Sequence, residues 1–166
     1  QVRKQIIRIS EGKRISKYHF VTHSMGGIIL RQIQAITPLP YVGRVVMLGP
    51  PNQGSEIVDK MGNMKVFQSV NGPSSLQLST STESIPNRLG PVSFELGVIA
   101  GDRSINLILS AMIPGKDDGK VSVNRTRVEG MKDFIMVHSS HPFLMNHQPA
   151  QEQTLHFLKT GRFIKE

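Results

Sequence analysis

Between Tyr18 and Leu30 a short apolar strand (Tyr-His-Phe-Val-Thr-His) runs into Ser24, then Met25, two glycines and an apolar helical stretch. A serine on a sharp strand-to-helix turn holds its hydroxyl clear of the backbone at the edge of a sheet. Gly26 and Gly27 carry no Cβ, so helix and strand can approach closely. The new helix turns its N-terminal N–H groups and positive dipole end toward the serine, where an oxyanion would form. The arrangement suits a nucleophile.

The rest of the composition narrows the classes. At 166 residues the chain fits one domain with a real core. It has no cysteine, which removes disulfides, thiolate metal sites and a cysteine nucleophile. No apolar run approaches the roughly 18 residues that span a bilayer, so no integral membrane segment is expected. No signal peptide is visible, and the chain opens inside a predicted helix. A cysteine-free chain suits either redox environment; the reading leans toward a bacterial cytoplasm. The formal charge of +8 raises nucleic acid as a partner. The pattern argues against it. Arg3, Lys4, Arg8, Lys13, Arg14 and Lys17 are spaced like the solvated face of a helix and its following loop, and aromatics are only 5%. A weak attraction to anionic membrane or substrate surfaces stays open.

Along the chain, residues 2–9 and 25–36 read as helices, the latter with Ile29, Ile33 and Ile36 on one stripe. Residues 18–23, 44–48, 94–100 and 133–138 read as strands, and 55–61 and 149–160 as helices. Ala150, Leu155 and Leu158 are expected to face inward. The alternation implies an α/β fold with a parallel sheet. Residues 62–93, with scattered Phe67, Leu76, Leu78 and Leu89, are polar and long enough to form a cap or lid, or an ordinary surface excursion. Residues 101–120 carry an apolar patch (Ile105, Leu107, Ile108, Leu109, Met112, Ile113) that is expected to pack into the core or to line a substrate pocket.

The stretch around Ser24 resembles the nucleophile elbow G-x-S-x-G of the α/β-hydrolase superfamily, in the H-S-M-G-G form of bacterial lipases and esterases. One departure is plain: Thr22 stands where the motif has its first glycine. A serine hydroxyl needs a histidine base, and the base needs a carboxylate. The family's chain order is Ser, acid, His. Among His138, His141 and His147, His141 is favoured, because it follows the last strand and Pro142 biases it toward an extended backbone. The run Val137 to Met145 also resembles the terminal His loop of a lipase-like group. His138 reads as structural, and His23 as a residue that lines the site. For the acid, the Asp118-Gly119-Lys120-Val121 turn resembles the family's D-G-x-V loop and favours Asp118; Asp117 and Asp102 are its rivals.

The resemblance implies a serine hydrolase that cleaves carboxylic esters, with Ser24, Asp118 and His141 as triad and the Met25 N–H in the oxyanion hole. It implies small-molecule or lipid ester substrates and needs no metal and no cofactor. It extends over the whole chain, which resembles the C-terminal portion of a hydrolase domain, incomplete at its N-terminus. The early strands, and the loop that supplies the second oxyanion donor, have no counterpart before Tyr18. A homodimer or a missing N-terminal segment would then cover the open sheet edge. Two rivals stand beside this reading: an acyltransferase or amidase with the same triad, and a truncated pseudo-hydrolase that only binds.

Overall fold

A computed structural model of the chain describes residues 1–62 and 72–165. Among them four parallel strands lie side by side in chain order: β1 Tyr18–His23, β2 Val42–Leu48, β3 Leu96–Gly101 and β4 Asp133–Val137. Parallel neighbours need long crossovers. Helix α2 (Met25–Ile36) joins β1 to β2. Helices α3 (Glu56–Met61) and α4 (Ile85–Arg88) lie between β2 and β3, and α5 (Leu107–Ser110) between β3 and β4. Helix α1 (Val2–Ser10) precedes the sheet and α6 (Gln148–Thr160) closes the chain.

Strand alternation divides the core into two layers. Val45 and Met47 of β2 and Leu96 and Val98 of β3 pack with Leu30 of α2. Val46, Leu48 and Ile99 point the other way, onto Leu144, Ala150, Phe157 and Phe163. Burial on both faces explains why β2 and β3 read as continuous apolar runs. Gly97 is required here, because a Cβ would stand 2.7–2.8 Å from the rings of Phe163 and Phe157.

The strands and the long helices lie close to where the sequence puts them, and two packing expectations need correction. Helix α2 buries Gly27, Ile28, Leu30 and Arg31, and of the Ile29–Ile33–Ile36 stripe Ile33 packs partly against the same layer as Leu30. That row lines a cleft with Val2 and Arg3 of α1, and Ile36 is exposed. Helix α2 is apolar on two sides, and the sheet takes the side that can come closest. A Cβ on Gly27 would lie 2.9 Å from Met47 Sδ. In α6 Ala150 and Leu158 pack inward as expected, Thr154 and Phe157 are buried with them, and Leu155 is exposed. Thr154 fits the core because its hydroxyl donates to the Ala150 carbonyl, 2.7 Å away. The patch at 105–113 does not pack as a unit: Ile113 is buried, but Ile105, Leu107 and Ile108 are exposed.

The described part of 62–93 is anchored. Leu78, Ile85 and Leu89 pack with Met25, Ile28 and Val58. The Thr80 hydroxyl and N–H both donate to the Asp59 carboxylate. Phe67 and the rest of 63–71 lie outside the described residues. At the other end of the sheet order, β1 has β2 as its strand neighbour and Val21 is exposed. A cleft lined by Val21, Thr22, His23, Leu48, Met145 and Leu155 runs along this edge. No described helix is long and apolar enough to cross a membrane.

Candidate active site

The three loops that follow β1, β3 and β4 leave the same end of the sheet, because all the strands are parallel. Ser24 sits between β1 and α2 with φ 53° and ψ −126°. This is backbone that a non-glycine residue adopts only under strain, at about 1–3 kcal/mol. It is held there by packing and by the Ser24 N–H, which donates to the Leu48 carbonyl at 2.9 Å. Met25 is the first residue of α2, where a helix leaves its N–H without an intrahelical partner. Thr22 is accommodated opposite Gly26: a Cβ on that glycine would stand 3.5 Å from Thr22 Cβ. The cost falls on the Thr22 hydroxyl, which is buried with no hydrogen-bond partner among the described residues.

His141 Nε2 lies 2.9 Å from Ser24 Oγ, and His141 Nδ1 lies 2.7 Å from Asp118 Oδ2. Asp118 and His141 are both buried, at 1% and 3% exposure, which shields the pair from solvent. The other Asp118 oxygen accepts the N–H groups of Lys120 and Val121 at 3.0 and 2.9 Å. The turn that permits this contains Gly119 at φ 96°. The acid loop also holds the histidine loop directly, since the His141 N–H donates to the Asp118 carbonyl at 2.8 Å. His141 opens a short 3-10 helix, His141–Asn146, rather than continuing the extended backbone that Pro142 suggested. The proline fits at the start of that helix because its missing N–H is not needed there.

No protein-family model matches the sequence, and neither does any curated protein. Solved structures do match. The mature form of a Bacillus licheniformis lipase superposes with a TM-score of 0.70 at 17% identity, over 98% of this chain and 72% of that one. An esterase of Pyrococcus furiosus gives 0.57 at 14% identity, over 95% and 59%. A Legionella pneumophila phospholipase bound to thio-NAD gives 0.56 at 21% identity, over 76% and 30%. The chain has the α/β-hydrolase fold. It spans 72% of the lipase and smaller shares of the other two, so its four strands are part of the full sheet.

Within this α/β-hydrolase fold the rival residues separate. Asp102 pairs with His138, not with His141: His138 Nδ1 lies 2.8 Å from Asp102 Oδ1. Asp117 accepts from the Ser110 hydroxyl at 2.6 Å and from the Gly119 N–H at 2.7 Å. His147 is the cap residue before α6. His23 lies against the base. Its Nε2 donates to the His141 carbonyl at 2.9 Å, and the two rings sit 4.7 Å apart. Burial, and then the charge of His141, lower the His23 pKa and favour the neutral ring.

Gly49, just past the strand read at 44–48, is part of the site although the sequence alone singles it out for no role. It lies at the end of β2 with φ +53°, and a Cβ there would stand 2.9 Å from Asp118 Oδ2 and 3.1 Å from His141 Nδ1. The only sequence signal for it is a glycine placed straight after a buried strand. Among the described residues no group of three or more His, Cys, Asp or Glu could hold a metal ion.

Proposed function

We propose that the chain is a serine hydrolase acting on carboxylic esters. The observation that carries this reading is the hydrogen-bonded series Asp118–His141–Ser24, mounted on a strained serine at a helix N-terminus. Ser24 Oγ attacks the acyl carbon while His141 Nε2 takes its proton. Asp118 keeps the Nδ1 proton in place and stabilises the imidazolium that forms. The Met25 N–H donates to the developing oxyanion. Collapse of the tetrahedral species expels the alcohol, which leaves with the proton from His141. Water, deprotonated by the same ring, then releases the acid. Its structural neighbours, a lipase, an esterase and a phospholipase, favour an ester over an amide.

A fluorophosphonate probe tests the pair directly. Mass spectrometry of the folded chain should find the adduct on Ser24, and Ser24→Ala and His141→Ala should both abolish it. A folded chain that takes no label, or takes it equally in both variants, would sink the proposal. Gly49→Ala tests the geometry around the triad. The added methyl intrudes between Asp118 and His141, so kcat should fall about 10²-fold. Its effect on stability should combine about 1–2 kcal/mol for the left-handed backbone with about 1–3 kcal/mol for crowding the buried Asp118, His141 and Leu144. Equal turnover in wild type and Gly49→Ala would show that the acid–base contact does not limit the reaction.

A further inference from the structure

The turn from Ser104 to Ser110 ends in three large, exposed aliphatic side chains. Ile105, Leu107 and Ile108 are 70%, 79% and 73% exposed. The turn is built to hold them out. Asn106 Oδ1 accepts the N–H groups of Ile108 and Leu109, both at 3.1 Å, and so caps α5. Ser104 Oγ accepts from the Asn106 N–H and donates to its carbonyl. Ser110 ties the far end to Asp117, and Ile113 is sunk into the core. Such a turn keeps its apolar tip outward without the tip folding back.

The charges around the tip are sorted by sign. Residues 101–120 contain three acids and three cations. The acids are Asp102, with a side chain only 6% exposed, and the buried Asp117 and Asp118. The cations Arg103, Lys116 and Lys120 are exposed. They lie beside the tip: Arg103 adjoins Ser104 in sequence, Lys116 Nζ lies 3.8 Å from Asp102 Oδ2, and a Cβ on Gly119 would stand 2.9 Å from Ser104 Oγ. Apolar points surrounded by outward cations, with the anions withdrawn, match the layered chemistry of an anionic bilayer. The acyl boundary takes the aliphatic groups and the phosphates take the cations.

We propose that this turn docks the protein on anionic phospholipid membranes, with Ile105, Leu107 and Ile108 inserted at the headgroup boundary and Arg103 and Lys116 against the phosphates. The turn leaves the same end of the sheet as Ser24, Asp118 and His141, so docking brings that end to the membrane. The proposal does not depend on ester hydrolysis, and binding is read without turnover.

The chain has no tryptophan, so Leu107→Trp places a single emitter at the tip. In a Ser24→Ala background, which leaves the lipid intact, vesicles of phosphatidylcholine with about 30% phosphatidylglycerol should shift its emission to the blue. Brominated acyl chains should quench it. Pure phosphatidylcholine vesicles should bind about tenfold more weakly or worse. Replacing Ile105, Leu107 and Ile108 together by serine should weaken co-sedimentation with the anionic vesicles about tenfold or more. It should leave the circular dichroism spectrum and the turnover of a soluble short-chain ester unchanged. Three results would overturn the proposal. The first is no blue shift on anionic vesicles. The second is undiminished binding by the triple-serine variant, which would assign binding to the basic surface alone. The third is a chain that ignores vesicles and self-associates until the triple-serine variant makes it monomeric, which would make the tip a contact between two copies.

Discussion

Asp118→Asn should lower kcat on a soluble ester by about 10⁴-fold with KM little changed. The side chains have nearly the same shape, so the effect is one of protons. Asp118 Oδ1 already accepts two backbone N–H groups, from Lys120 and Val121. An asparagine in this place must keep its carbonyl oxygen toward those donors, which turns its NH₂ toward His141 Nδ1. Two donors cannot face each other at 2.7 Å, so the imidazole gives up its Nδ1 proton and carries it on Nε2 instead. That nitrogen then donates toward Ser24 and cannot take its proton. Asp102→Asn is the matched control. Its partner is His138, whose side chain is 76% exposed, and turnover should stay within a few-fold of wild type. Steady-state kinetics on both variants decide among the acid candidates. If Asp118→Asn keeps a tenth of the activity, or Asp102→Asn loses as much as it does, the assignment is wrong.

The sequence carried the parallel sheet because its strands are buried on both faces and separated by helices or long loops. It carried Ser24 and His141 for a related reason: in a parallel sheet, residues just past the strand ends collect at one edge. Asp118 needed more than position, since Asp102 is closer to its strand and Asp117 adjoins the same turn. What separated them was the direction of the carboxylates, set by Gly119 and by which backbone N–H groups each oxygen meets, and no periodicity encodes that. The orientation of α2 was hidden for a different reason. Its apolar residues cover two faces, and the choice between them depends on Gly27 meeting Met47 of another strand. The exposure of the tip at Ile105–Ile108 is not legible in its composition, since apolar residues suggest a core or a pocket wall; it depends on the caps supplied by Asn106 and Ser104.

Arg31 is the residue least expected from the sequence, and removing it should have the largest effect on stability. An arginine in the middle of a helix usually reaches solvent, yet this one is 4% exposed. No ion pair satisfies it among the described residues; its partners are neutral oxygens. Nη1 donates to the Asn52 carbonyl and Oδ1 at 2.9 and 3.1 Å, and Nη2 to the carbonyls of Pro86 and Gly90 at 3.1 and 2.7 Å. Asn52 continues the network by donating to the Thr126 carbonyl at 2.8 Å. One side chain therefore holds together α2, the loop after β2 and the segment around α4. Burial lowers the guanidinium pKa to about 10, which still leaves it charged at neutral pH. Arg31→Met keeps the packed stem but leaves those carbonyls without donors, each at about 1–3 kcal/mol. Water can enter and recover part of this, so the expected loss is about 3–5 kcal/mol. For a chain of this length that is a fall in Tm of roughly 10 °C. Arg31→Lys should restore little, because an ammonium cannot span acceptors arranged for a planar fork. Thermal denaturation followed by circular dichroism reads both. A Tm for Arg31→Met within about 2 °C of wild type would mean that the network is dispensable, and that α2 is held by its apolar contacts with the sheet alone.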